Sequence, residues 1–173
     1  MSGVAGFVRR GGCAKAEAHW KKRGFAWARC SPVNNNFVHL HLHSSYSFLD
    51  GVCRPADIVE AAIANEMPAV AITDHGSMHG APEFYKTARA RGIRPIIGCE
   101  FYVAPMDRRD KDSPAGTTAP AHLVLLAEND LGYRNLTALS TAGYLEGFHK
   151  VPRIDMELLA AHAGGLIGLS AYD

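Results

Sequence analysis

Three histidines recur at every second position, His39, His41 and His43, within the stretch FVHLHLHSSYSFLD over residues 37–50. An extended strand sends alternate side chains to opposite faces, so the imidazoles share one face while Val38, Leu40 and Leu42 share the other. Two neutral imidazoles projecting from one rigid ladder can hold a divalent metal. His41 and His43 form the sharpest such pair in the chain. His39 is expected deeper on the same face, as a hydrogen-bonded core histidine.

Further donor residues follow downstream. Asp50 precedes Gly51 and reads either as a turn residue or as a ligand. Asp74-His75-Gly76 closes a short apolar run and has two readings. One is a helix cap with a surface imidazole. The other makes His75 a ligand and Asp74 the acceptor that fixes its tautomer. Glu100 follows Ile96-Ile97-Gly98-Cys99, where a carboxylate is costly unless a cation pairs with it, and one carboxylate can bridge two metals. His122 begins its apolar run instead of ending it, so strand geometry alone does not aim it at the other donors. His79, His149 and His162 are expected on the surface.

Ser44, Ser45, His75 and Asp74 contain the residue types of a hydrolytic triad, but the chain lacks a G-x-S-x-G elbow. It also lacks a G-x-x-x-x-G-K phosphate loop. Several histidines with Asp and Glu suit zinc or manganese, and metal-activated water attacking a phosphorus ester is the chemistry such a set supports.

The elements that must position these residues alternate. A strand is expected over 37–43, with a loop to Arg54. A helix over 55–65 starts at a proline, carries Asp57 and Glu60 early, and has an Ile58, Val59, Ala62, Ile63 stripe. Residues 69–73 read as a buried strand, 82–91 as a helix stopped by Gly92, and 94–103 as a strand. The charged, breaker-rich stretch 106–120 reads as a mobile surface loop. Residues 122–126 begin a strand, helices follow over 131–145 and 155–162, and 166–170 is a strand. Such alternation predicts right-handed βαβ units and a parallel sheet, doubly wound or closed as a barrel. The polar residues fall just after strand ends, where barrel enzymes place their chemistry.

The 173 residues, 47% of them hydrophobic, suffice for one core. The net charge of +1 is unevenly spread. Residues 1–36 carry seven Lys/Arg against the single acid Glu17, a net +6, which leaves 37–173 at −5 and without a basic face for gripping nucleic acid. Residues 1–36 have no sustained period and read as a disordered basic leader. Three explanations compete for it: a start codon assigned too far upstream, which is favoured, an organelle transit peptide, or a nucleic-acid-binding tail. Cys13, Cys30, Cys53 and Cys99 lack C-x-x-C spacing, so free thiols in a reducing cytosol are expected. No apolar run approaches the ~20 residues that span a bilayer, and a soluble protein is expected.

Four blocks are specific beyond their periodicity: HLHSSYSFLDG, AITDHGSMHGAPEFYKTARARGIRPIIGCEFYVAP, HLVLLAENDLGYRNLTALSTAGYLEGF and PRIDMELLAAHAGGLIGLS. In that order they resemble the N-terminal PHP (polymerase and histidinol phosphatase) domain of bacterial replicative DNA polymerase III alpha subunits, from about Phe37 to Ser170. The resemblance implies an α/β fold, a distorted TIM-like (β/α) barrel, with up to three divalent metal ions. It places ligands at His41, His43, Asp50, His75, Glu100 and His122. Glu100 would bridge a metal held with His41 and His43 and another held with His122, while Asp50 and His75 serve a third. The family's usual cysteine after the last strand is replaced by Tyr172, a ligand position lost, and the family's closing Asp-x-His is absent.

These features imply a partial PHP domain over 37–173, without polymerase regions, whose open barrel edge predicts poor solubility in isolation. The implied parent activity is template-directed nucleotidyl transfer in a bacterial cytoplasm. Partners would be the remainder of the alpha chain, replisome subunits and, through the parent polymerase, DNA, with no membrane. The PHP module itself would cleave phosphodiesters 3′ to 5′ or support the polymerase. The alternatives are a stand-alone phosphoesterase of the histidinol-phosphatase kind and a non-catalytic replisome scaffold.

Overall fold

The computed structural model of the chain describes residues 37–111 and 120–171. The expected leader, residues 112–119 of the 106–120 stretch and Tyr172 lie outside the described residues.

Helix α1, Pro55–Ala64, has proline and Asp57 in its first turn and buries Pro55, Ile58, Val59 and Ala62. It packs beside strand β1, Ala69–Ile72, every residue of which is buried. Helix α2, Ala81–Arg91, ends at Gly92, whose φ of 77° is the left-handed cap that glycine adopts freely. Phe84 and Ala88 of α2 join Ile58, Val59, Ala62, Val70 and Ile72 in one core cluster. Each large aliphatic or aromatic side chain fully buried there contributes about 1.5–3 kcal/mol.

Strand β2, Arg94–Val103, organises the sheet. Its first half pairs in parallel with β1, from Ala69 opposite Arg94 to Ile72 opposite Ile97. Its second half pairs with strand β3, Ala121–Ala127, in the antiparallel sense. Helix α3, Asp130–Leu145, follows, with the Asn129 side chain accepting from Gly132 N. Next comes a hairpin of β4, Phe148–His149, and β5, Val151–Ile154; β5 lies parallel to the end of β2. Helix α4, Met156–Ala161, is capped by Asp155, and strand β6, Leu166–Ser170, pairs antiparallel to β3.

Alternation along β2 separates core from site. Cys99, Phe101 and Val103 pack with Leu125, Leu136, Leu139 and Ile154 beneath α3, whereas Glu100 and Tyr102 point the other way.

Three expectations are corrected. The sheet is mixed, with order β4-β5-β2-β3-β6 and β1 also beside β2, and it does not close into a barrel among the described residues. β3 pairs antiparallel to β2 instead of crossing over to run parallel, and among the described residues no helix lies between them. Residues 37–43 form no regular strand and bend at His41. Ala71 N donates to His39 O and Thr73 N to Leu42 O, so three residues advance on one side against two on the other, as in a bulge. The Thr73 hydroxyl completes the join, accepting from Leu42 N at 2.7 Å and donating to Leu42 O at 3.1 Å.

The described start of the 106–120 stretch is tied down. Arg108 is buried and donates to Asp155 Oδ2 at 2.8 Å and to Glu146 Oε2. Arg153 holds the carbonyls of Arg108 and Asp110. No helix among the described residues is long and apolar enough to cross a membrane.

Candidate metal centre

Glu100 is the hub. Its side chain is fully buried, at 0% exposure. His41 Nε2 reaches Oε2, as does His43 Nε2 at 2.7 Å, and His122 Nδ1 reaches Oε1 at 2.5 Å. Burial alone would push the carboxyl up. The hydrogen bonds from His41, His43 and His122, with the neighbouring His75, overcome that and hold it well below the usual carboxylate range.

The irregular 37–43 segment delivers His41 and His43 to this point, with Leu42 turned into the first core cluster. His39 is set apart: half-buried, its ring meets Phe37 edge-on at 4.7 Å, and burial lowers its pKa. His122 arrives through the antiparallel register, opposite Tyr102 and two residues from Val124, the partner of Glu100. The open question about its direction is thereby resolved, because the start of β3 lies beside the end of β2.

His75 follows β1 and forms a lone parallel bridge to Glu100, with Gly76 N donating to Glu100 O and Glu100 N to Asp74 O. Its Nδ1 lies 3.8 Å from Glu100 Oε1 and its Nε2 3.6 Å from Asp50 Oδ2. Burial, reinforced by the adjacent His43, lowers its pKa against the opposing pull of Glu100 and Asp50. The ring stacks on Tyr102 at 5.6 Å and 19°, and Tyr102 also meets His122 edge-on. Residue type alone does not mark Tyr102 in the sequence, although its place two residues after Glu100 puts it on the same strand face.

Asp74 does not act on the His75 ring. Its carboxylate accepts from Ser44 N at 2.7 Å, Ser44 Oγ at 2.8 Å and Ser47 Oγ at 2.7 Å. It therefore shapes the 44–51 loop, and His75 N donates to the same Ser47 hydroxyl. Consecutive residues of an extended segment point to opposite sides, which is why Asp74 serves the loop and His75 the centre. Ser44 Oγ donates its hydrogen bond to Asp74 directly, so no Ser–His–Asp relay is assembled among the described residues. Asp50, exposed, rides on this loop through Asp50 N to Ser47 O. The loop closes tightly at Gly51, where a Cβ would fall 1.9 Å from Ser44 O. His79 is exposed and lines the cleft onto which His75 and Asp50 open, whereas the exposed His149 and the half-buried His162, whose Nδ1 lies 3.0 Å from Leu158 O, belong to neither donor group.

Two overlapping donor groups result, His41–His43–Glu100 and His75–Glu100–His122, each with donor atoms within 4.8 Å of one another. The donor set fits divalent metal. Three imidazoles bond one buried carboxylate while His75 Nδ1 is buried without a hydrogen-bond partner. Leaving such an atom unmet costs about 1–3 kcal/mol, and a cation beside Glu100 would satisfy it. Neutral nitrogens with one anionic oxygen donor suit zinc or manganese.

Residues 39–173 match the family described as PHP domain. The chain is 50% identical over 135 residues to DNA polymerase III subunit alpha of Chlamydia trachomatis, covering 78% of this chain and 11% of that protein. It is likewise 50% identical over 136 residues to the subunit of the same name from Treponema pallidum, covering 79% and 12%. Among solved structures, an amidohydrolase from Chromobacterium violaceum with bound sulfate and no metal is 26% identical. Its TM-score is 0.43, over 61% of this chain and 34% of that one. The chain thus spans little more than a tenth of the length of the two curated relatives.

Proposed function

Because the chain belongs to the PHP domain family, we propose that it is the PHP portion of a replicative DNA polymerase III alpha subunit, and that it hydrolyses phosphate esters at a divalent-metal centre built on Glu100. The observation that supports this most is the convergence of His41, His43 and His122 on one buried carboxylate, beside the unpartnered Nδ1 of His75.

In this reading His41 and His43 would hold one metal together with Glu100, and His122 would hold a second with the same glutamate. Asp50 and His75 form the third donor set, with His75 also close enough to serve beside His122. Bound divalent ions supply charge neutralisation for a phosphate ester and a water activated near neutral pH. The chain's own residues do the rest. Glu100 fixes the spacing between the sets, Tyr102 holds the His75 and His122 rings, and Asp74 sets the loop that presents Asp50.

The substrate class is a phosphodiester, cleaved 3′ to 5′ in service of the polymerase. The parent protein's template-directed nucleotidyl transfer, its DNA and its replisome partners belong to the remainder of the alpha chain, in the bacterial cytoplasm. The residues 1–36 precede the module, which occupies 37–173.

The experiment is hydrolysis of bis(p-nitrophenyl) phosphate by the zinc- or manganese-loaded chain. The expected result is turnover abolished by chelation and lowered at least on the order of a hundredfold in the His41→Ala/His43→Ala double variant, since even residues that merely orient ligands are worth ~10–100-fold. Turnover insensitive to chelation would overturn the proposal. A strong preference for a monoester would point instead to a small-molecule phosphatase.

A further inference from the structure

We propose that the cleft opening beside Asp50 and His75 is a nucleobase subsite, in which a base of a single-stranded nucleic acid stacks on Tyr144 and Phe148 while Lys150 meets a backbone phosphate. The inference rests on the phosphodiester reading and names the part of the substrate that the donor residues do not touch.

The cleft, of about 310 Å³, is lined by His75 and Asp50 together with Tyr102, Tyr144, Phe148 and Lys150. That volume falls at the lower end of small-ligand sites, roughly 300–1,000 Å³. Tyr144 closes the last turn of α3 and Phe148 opens β4. Their rings lie nearly parallel, at 22° with centroids 6.2 Å apart. Both stay open to solvent, at 41% and 47% exposure, although burying such rings would stabilise the fold. A half-exposed, near-parallel aromatic pair offers an open ring face on which a base can stack, irrespective of sequence.

Lys150, exposed, sits in the turn between β4 and β5 with a φ of 66°. A non-glycine residue in that region is strained, and such strain concentrates at ligand-binding positions. The charge balance decides how binding would work. Residues 37–173 are net acidic, so affinity has to come from stacking and from the metal centre. Each neutralised phosphate contributes a slope of about −0.7 in log affinity against log salt for single strands, so one lysine predicts a shallow salt dependence.

The test measures fluorescence anisotropy of a labelled, phosphorothioate-linked five-nucleotide oligothymidylate against the same oligonucleotide with an abasic 3′ residue. Zinc is present, and each titration is repeated with chelator. The expected result is binding about tenfold or more tighter with the base than without it, the size of one base–aromatic stack. In Tyr144→Ala and Phe148→Ala that ratio should fall close to one, while Phe148→Trp should keep it. Equal affinity for the two oligonucleotides, no binding of either, or a ratio unmoved by both alanine variants overturns the subsite. Failure of the metal reading shows separately, as affinities that chelation does not change.

Discussion

His122 Nδ1 lies 2.5 Å from Glu100 Oε1 because the strands that carry them run in opposite directions. Had β3 crossed over to run parallel with β2, the start of β3 would sit at the far end of the sheet from Glu100 Oε1. The antiparallel return turns a strand-initial histidine into a neighbour of a strand-terminal carboxylate. It also places His122 opposite Tyr102, whose ring holds it edge-on.

The Thr73 hydroxyl joins the His41–His43 segment to β1. Thr73→Val keeps the shape and removes the hydrogen bonds, leaving Leu42 N without its partner. The expected cost is about 1–3 kcal/mol in urea unfolding, together with weaker zinc binding in a calorimetric titration. Unaltered stability and zinc affinity would mean that this segment is held by something else.

Gly51→Ala forces a Cβ to within 1.9 Å of a backbone oxygen, which no side-chain adjustment relieves. The 44–51 loop must open, carrying Asp50 away from His75. Zinc titration is expected to lose its weakest equivalent while the equivalent held with His41 and His43 survives. Loss of every equivalent at once would contradict the division of the donors into separate sets.

The Arg108–Asp155 pair gives a pH prediction. Burial raises the Asp155 carboxyl, but the backbone hydrogen bonds from Arg108 and Leu158 and the Arg108 guanidinium outweigh it, so the folded-state pKa is lowered. A group depressed in the folded state contributes stability that is complete above its unfolded pKa, about 3.9, and is lost as pH falls through the folded value. Asp155→Asn keeps an N-cap acceptor for Leu158 N while removing the charge. At pH 7 it should cost about 1.5–3 kcal/mol, the size of a hydrogen bond to a charged group, because Arg108 keeps its bonds to Glu146. The difference from wild type should shrink as pH is lowered from 7 through about 3.9 and below. Chemical denaturation across that range checks it, and a constant difference would refute the ion pair's role.

The unit from α1 to β2 is legible in the sequence because its signals are local. Pro55 opens a helix, Gly92 closes one, and 69–72 and 94–103 are apolar runs between breakers. The direction of β3 is not legible, since stretch 104–120 carries no helical period yet gives no short turn either. The β4–β5 hairpin escapes for a related reason: its turn at Lys150 has neither glycine nor Asn, so a positive φ is not advertised. Arg108 reads as part of a loose charged loop because its partners, Glu146 and Asp155, lie far along the chain. The centre is partly legible. His41, His43 and Glu100 stand out by spacing and by an unfavourable apolar context, and His122 only through the family resemblance. The loop-ordering role of Asp74 is recoverable in principle from alternation, because a carboxylate adjacent to His75 in an extended segment faces away from it.

Metal stoichiometry measured by mass spectrometry after dialysis, for wild type and for Glu100→Gln, bears most directly on the centre. The amide keeps the side chain's size and removes the shared anion. At least two zinc or manganese ions per wild-type chain are expected, with both groups emptied together in Glu100→Gln. A wild-type chain without metal, or a Glu100→Gln chain that retains two ions, would contradict the account.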